Sequence, residues 1–213
     1  QVTGMVSSAL AFILALFIIL VVGLYGAANP QWYVSGLVQL APLGYRPRLQ
    51  DALKRTADVL RWWFVGQLIT MIVTGVATGL GLWLVGVPLA LSLGLLAFFL
   101  EIIPNLGPFL AAAPAMLIAW SQGGNTVLYV VLVYLVIQML ESYVLLPLIQ
   151  ERAVRLPPAL SILAVVLFGL ASGMLGVLLA APLTVAAIVL IKTLYIKDVL
   201  GDPDVQMPGD EQE

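Results

Sequence analysis

The residues best placed to do chemistry lie in Glu101-Ile102-Ile103-Pro104-Asn105-Leu106-Gly107-Pro108. A carboxylate, a carboxamide and a Pro-Asn-Leu-Gly-Pro break fall together between two apolar runs, residues 87–100 and 109–120. An ionisable group in hydrocarbon is costly, and so is backbone released from helical bonding. Both are tolerated where they are buried in protein or line a polar cavity. Glu101 is therefore a candidate proton or cation ligand, or a contact to a polar substrate. The rival reading is a structural carboxylate that caps freed N–H groups. Asn105 stands open between coordinating a substrate and satisfying the broken backbone. Pro104, Gly107 and Pro108 shape the break, since proline removes a donor and glycine admits positive φ.

A second carboxylate, Glu141, follows Gln138 by three residues, so both face one side of a helix. They read either as a polar seam along a pathway, with Glu141 paired to Arg152 or Arg155, or as a side chain reaching the headgroups near Pro147. Gln67, Thr70, Thr74 and Thr78 step by three or four along another apolar run. With Gly66, Gly75 and Gly79 beside them, the threonines read chiefly as a close-packing face. Gln67 is different, because a carboxamide in a dry setting needs partners. Gly169, Ser172, Gly173 and Gly176 form a third cluster, open between a second hairpin tip with exposed carbonyls and a small-residue packing face.

Composition sets the compartment. The chain is 62% hydrophobic and 9% charged, with mean hydropathy +1.09, whereas a soluble domain carries about a quarter charged residues. An integral membrane protein follows. The net charge of −2 offers no basic field for nucleic acid. Cysteine and histidine are absent, which removes disulfides, thiolate metal sites and the usual proton shuttle. Neither a G-x-S-x-G elbow nor a phosphate-binding loop occurs. No Ser–Lys pair or carboxylate pair stands at a suggestive local spacing, so an intramembrane hydrolase is disfavoured. A pair assembled only in three dimensions is left open. The expectation is a protein that is not an enzyme and holds no resident cofactor, with a coupling proton or sodium ion as its small ligand.

The elements that must position these residues follow from hydropathy. Residues 1–28 are long enough for a transmembrane helix. Residues 29–63 read as a connection followed by an amphipathic helix over 49–63 lying at the interface, with Trp62 and Trp63 as headgroup anchors and its Lys and Arg facing anionic lipid. Residues 64–120 comprise a span over 64–85 and a hairpin whose arms meet at the Glu101–Pro108 break. Residues 121–197 comprise a span over 126–146, a charged connection over 147–158, and two apolar arms, 159–169 and 176–191. Residues 198–213 are an acidic tail expected to be disordered. The chain starts at Gln1 and reads as the C-terminal part of a longer protein.

Lys and Arg set the orientation. Arg46, Arg48, Lys54, Arg55, Arg61, Arg152, Arg155, Lys192 and Lys197 all fall in connections on one side, while residues 121–125 carry no charge. The basic connections and the C-terminus are therefore placed inside. Span-plus-hairpin then occurs twice with opposite orientation. The expected fold is an all-α polytopic membrane protein with an inverted repeat of a spanning helix plus a re-entrant helical hairpin, since the arms are short for full spans.

Several motifs carry a family resemblance. They are Gly66-Gln67-Leu68, Gly79-Leu80-Gly81-Leu82-Trp83-Leu84-Val85-Gly86-Val87-Pro88, the Glu101–Pro108 segment, Gln138-Met139-Leu140-Glu141-Ser142-Tyr143, Pro147, Leu156-Pro157-Pro158, and Gly173-Met174-Leu175-Gly176 with Ala181-Pro182-Leu183. In this order and spacing the chain resembles the autoinducer-2 exporter (AI-2E) family over nearly its whole length. The family pattern often has Asn after Glu141, where this chain has Ser142. The resemblance implies a prokaryotic inner-membrane secondary transporter, elevator-like, assembled as a homo-oligomer. It implies a small polar solute or a monovalent cation as cargo, since members have been linked both to autoinducer-2 export and to sodium/proton antiport. The expected function is export of a small polar solute by alternating access, with Glu101, Asn105, Gln67, Gln138, Glu141 and Ser172 along the pathway. The rivals are a sodium/proton antiporter, a passive channel and a non-transporting membrane scaffold.

Overall fold

The structure is a computed structural model that describes residues 14, 30–150 and 157–200. The first expected span, Glu151, Arg152 and Arg155, and most of the acidic tail lie outside the described residues. Every regular element among the described residues is helical: α1 (Pro30–Gln39), α2 (Arg46–Leu84), α3 (Ala90–Leu100), α4 (Gly107–Gln122), α5 (Thr126–Leu140), α6 (Leu146–Gln150) and α7 (Pro158–Leu190). A π turn, Glu141–Leu145, joins α5 to α6, and a second, Ile191–Lys197, extends α7. Among the described residues, three helical stretches are long and apolar enough, by length and composition, to cross a membrane: Leu43–Leu84, Thr126–Leu148 and Pro158–Lys197, the last interrupted at Gly173. The chain is thus an all-α polytopic membrane protein.

The chain divides into two compact units, residues 1–53 and 54–213. In the first, α1 ends against a 3₁₀ turn, Leu43–Tyr45. The Arg46 guanidinium donates to the carbonyls of Gln39 (3.1 Å) and Ala41 (3.1 Å), capping backbone acceptors left at the end of α1. The Arg48 guanidinium lies 5.8 Å from the centroid of the Tyr45 ring.

The second unit holds the site. The sequence suggests an interfacial helix over 49–63 and a separate span over 64–85; instead α2 is one helix of 39 residues. At 1.5 Å per residue it is about 58 Å long, roughly twice the hydrocarbon thickness. No proline interrupts it after Pro47. The apolar side formed by Val59, Leu60 and Trp63 packs on Ala181, Val185 and Val189 of α7 rather than facing lipid. Trp63 is therefore buried core and not a headgroup anchor, whereas Trp62 is exposed.

α2 ends in a Schellman motif. Val87 N–H donates to Leu82 O (2.9 Å), Gly86 N–H donates to Trp83 O (3.0 Å), and Gly86 holds φ +80. Val87 and Leu82 then share one core with Ala90, Leu93, Ala115, Ala119 and Val130, which joins α2 to α3, α4 and α5. α2 and α3 approach closely because both present glycine. A Cβ on Gly94 would stand 2.7 Å from Gly75 O and from Gly79 Cα. That bears on the threonine stripe, whose glycine neighbours are a packing face.

α3 and α4 fold back on one another around residues 101–106. Gly107 presses on Leu100 O and Glu101 Cα, an approach that no side chain allows. Asn105 supplies the left-handed turn with φ 65. α4 contains Pro114, and the Tyr134 hydroxyl of α5 donates to the neighbouring Ala111 carbonyl (3.0 Å). α7 also doubles back. Gly173 holds φ 61 and ψ −142 inside it. A Cβ on Gly176 would strike Phe168 O, although residues eight apart in a straight helix are about 12 Å apart. Ala164, Val165 and Ala180 from the two arms then pack around Ile103 in the turn between α3 and α4, with Phe168, Val177, Ile102 and Leu106 alongside.

The span expected to stop at residue 146 continues through Pro147 to Gln150, so the connection expected over 147–158 begins later. Proline is accommodated because the π turn already lies just before it, where the normal ladder is interrupted.

Candidate functional site

Glu101 terminates α3 and Glu141 terminates α5, each as a C-cap. Forty residues separate them in sequence, but their carboxyl groups come within hydrogen-bonding reach of each other. Both are buried, at 1% and 8% exposure. Exposure that low disposes of the reading in which Glu141 reaches for the headgroups. Its expected partners Arg152 and Arg155 lie outside the described residues.

Two amides hold the pair. Gln138 Nε2 donates to Glu141 Oε2 (3.3 Å) from one turn earlier on α5. Gln67 Nε2 on α2 donates to the backbone carbonyl of Glu101 (2.6 Å). Each bond has a local cause. The last carbonyls of a helix lack internal partners, and Gln67 supplies one to α3. Glu141 opens the π turn, so its side chain leaves α5 where the helix is already distorted. π turns are frequent at functional sites.

The remaining candidates separate. Asn105 is exposed, and its backbone makes the left-handed turn. Ser172 is exposed beside Gly173 at the reversal of α7. Pro104 is half-buried in the break, while Gly107 and Pro108 are buried at the start of α4. Gly169 and Gly176 face the opposite arm of α7, and Gly173 makes its turn. Four of the six pathway candidates (Glu101, Glu141, Gln67 and Gln138) are thus brought together.

Sequence reasoning missed the carboxyl pair because it looked for pairs along the chain. A signal was present. Between Arg61 and Glu151, Glu101 and Glu141 are the only charged residues. Two like charges in a long apolar stretch without a local cation are best satisfied by each other and a shared proton or cation. Tyr134 was also overlooked, and Pro114 in the preceding helix was its signal.

Chemically, two ionised carboxylates have only acceptors to offer, so contact between them requires a proton or a cation in common. Glu101 Oε2 makes no hydrogen bond and is buried. The pair is a buried, oxygen-only site, suited to taking up and releasing one small positive charge.

Buried carboxyls at helix breaks within a polytopic helical bundle fit a membrane-transport class of protein. The AI-2E family transporter profile matches residues 1–196, and the chain belongs to that family. Among curated relatives, YrrI of Bacillus subtilis, named for transport, is 35% identical over 72% of this chain and 42% of its own length. MT0215 of Mycobacterium tuberculosis, also named for transport, is 32% identical over 81% of this chain and 46% of its own. The AI-2 transport protein TqsA of Escherichia coli is 33% identical over 63% of this chain and 39% of its own. The chain spans less than half the length of these relatives.

Proposed function

We propose that this chain is the transport-site half of a secondary transporter that exports a small polar solute by alternating access, coupled to a proton exchanged at Glu101 and Glu141. The observation that carries this reading is the meeting of two buried carboxyls from different helices, each at a helix break. Intramembrane ionisable groups mark ion and proton pathways. Their placement at broken helices is the arrangement by which transporters with inverted repeats bind cargo and coupling ions.

In this reading, residues 64–122 and 126–190 are the two inverted halves, each a span followed by a re-entrant hairpin. α3 has 11 residues, about 16 Å, or half the hydrocarbon thickness. Movement of one hairpin against the other, elevator-like, would expose the pair to each side in turn. Packing of Ile103 against the arms of α7 supplies the sliding contact. The basic connections face the cytoplasm of a prokaryotic cell, the bilayer covers the apolar exterior, and the protein assembles as a homo-oligomer. The cargo is of the autoinducer-2 type, following the name of TqsA. No enzymatic step, resident cofactor or nucleic acid is involved.

A second reading is favoured by the same pair: a sodium/proton antiporter whose ions alternate between the two carboxyls. Flux through the complete protein in proteoliposomes separates the two. Solute counterflow that moves protons and is lost in Glu101→Gln supports the exporter. Sodium-driven proton movement without any organic solute supports the antiporter. Conductance without counterflow identifies a channel, and wild-type behaviour of both Glu→Gln variants identifies a scaffold.

A further inference from the structure

α2 carries four buried or half-buried polar side chains on one side: Gln67, Thr70, Thr74 and Thr78. A buried threonine in a helix ordinarily donates its hydroxyl to the carbonyl four residues back. Thr70 does so to Gly66 O (3.1 Å), and Thr184 does so to Ala180 O (2.6 Å). Thr74 and Thr78 do not. Their hydroxyls are buried, at 3% and 0% residue exposure, and make no hydrogen bond. The same helix offers them the same kind of acceptor, which they do not use. Burying a polar group without a partner is costly, so each such group calls for a reason.

Two registers set Thr74 level with the carboxyl pair, with Thr78 one turn beyond it. On one side, Gly75 of α2 abuts Phe98 of α3, and Gln67 reaches Glu101 O. Thr74 therefore lies within the length of α2 that runs beside the end of α3. On the other side, Gly81 abuts Val133 of α5. α2 and α5 run in opposite senses, so seven residues back along α2 and seven forward along α5 reach Thr74 and Leu140, next to Glu141. Glu101 Oε2, also without a partner, is the third such oxygen in this region.

We infer that Thr74 and Thr78, with water between them, form a proton relay along α2 that loads and unloads the Glu101–Glu141 pair. This rests on the proton-coupled reading of that pair. The spacing suits water. Residues four apart on a helix are separated by about 6 Å. One water bridging two hydroxyls spans about 5.6 Å at ordinary O–H···O distances. A hydroxyl both donates and accepts, so it passes a proton by giving one up on one side as it takes one on the other. Val, the same shape without the oxygen, cannot. Glu101 at the end of α3 and Glu141 at the end of α5 are the titratable groups at the relay's inner end. Beyond Thr78 the line stops at Leu82, in the apolar core shared with Val87, Ala119 and Val130. Water entering from that side must therefore open this core.

The test is proton movement by the complete protein in proteoliposomes holding an internal pH-sensitive dye, under an imposed pH gradient. Thr74→Val and Thr78→Val should each slow proton movement by about a hundredfold, the scale of losing a positioned proton-transfer group. Thr74→Ser and Thr78→Ser should restore it, and Thr70→Val, whose hydroxyl is already bonded within the helix, should run at the wild-type rate. Folded Val variants that move protons as fast as wild type overturn the relay while leaving the carboxyl pair in place. A wild type that moves no protons overturns both readings. Thermal unfolding in detergent is an independent check. A dry, unpartnered hydroxyl makes Val stabilising, so a raised melting temperature in both Val variants overturns the relay; an unchanged or lowered one supports it.

Discussion

Glu101 and Glu141 lie forty residues apart in the chain and touch through their carboxyl groups at the ends of two different helices. Each is held by a glutamine. Gln67 fixes the backbone that carries Glu101, and Gln138 fixes the carboxylate of Glu141. The pair therefore joins the turn after α3 to α5, with α2 holding that turn through Gln67. In the transport reading proposed above, displacement of this turn would part the two carboxyls and so link cargo movement to exchange of a proton.

Glu101→Gln and Glu141→Gln should fold as well as wild type, because an amide can donate the hydrogen bond that the shared proton supplies. Coupled transport should fall by about a hundredfold or more in each. Glu101→Ala, by contrast, leaves Glu141 buried without its partner and should cost about 1–3 kcal/mol. Solute flux and thermal unfolding of the same preparations check the two effects. A Gln variant with normal coupled flux removes the carboxyl from the mechanism.

The close approaches at the hairpins predict a steep response to one added methyl. Gly107→Ala and Gly176→Ala each drive a Cβ into backbone atoms and should destabilise by about 1–3 kcal/mol. Gly173→Ala meets open space but must hold φ 61 with ψ −142, at about 1–3 kcal/mol of backbone strain. Gly44 meets open space without that constraint, so Gly44→Ala should stay within about 0.5 kcal/mol. Unfolding curves for the four variants test this order.

Tyr134→Phe removes the hydroxyl that donates to the Ala111 carbonyl next to Pro114. A loss of about 1 kcal/mol is expected, with coupled flux retained. A large loss of flux with normal stability would instead put Tyr134 on the transport route.

Gln67→Met keeps the length of the side chain and removes the donor to Glu101 O. Stability should fall by about 1 kcal/mol. Coupled flux should fall more than stability does, because the hairpin tip loses the bond that sets Glu101 against Glu141. Equal flux in Gln67→Met and wild type would make the bond merely structural.

Much of the architecture was legible because membrane solvent imposes simple rules. Uncharged runs about twenty residues long must be helical, and Pro-Asn-Leu-Gly-Pro cannot continue a helix. The break at 101–106, the small-residue contact at Gly75 and Gly79, and the turn at Gly173 follow from such local chemistry. The boundary near Trp63 was misread for the opposite reason. A change from charged to apolar composition looks like a change of element, but composition alone does not bend a helix. α2 continues because nothing in its backbone stops it and because α7 covers Val59 and Trp63. Asn105 and Ser172 were chosen for side-chain chemistry, whereas what distinguishes their neighbourhoods in the fold is backbone geometry: positive φ at Asn105 and at Gly173.

By itself the sequence determined that this is a helical membrane protein with two interrupted segments, and that Glu101 and Glu141 are the charged residues stranded between Arg61 and Glu151. Those properties depend on residue type and local spacing. Only the tertiary structure decided that the two carboxyls share one site, that Gln67 donates to the Glu101 carbonyl, and that the Thr74 and Thr78 hydroxyls are buried without partners. These depend on the crossing and register of α2, α3 and α5, which are set by where glycines allow backbones to touch. No local pattern in the chain encodes which helix will be on the other side of that contact.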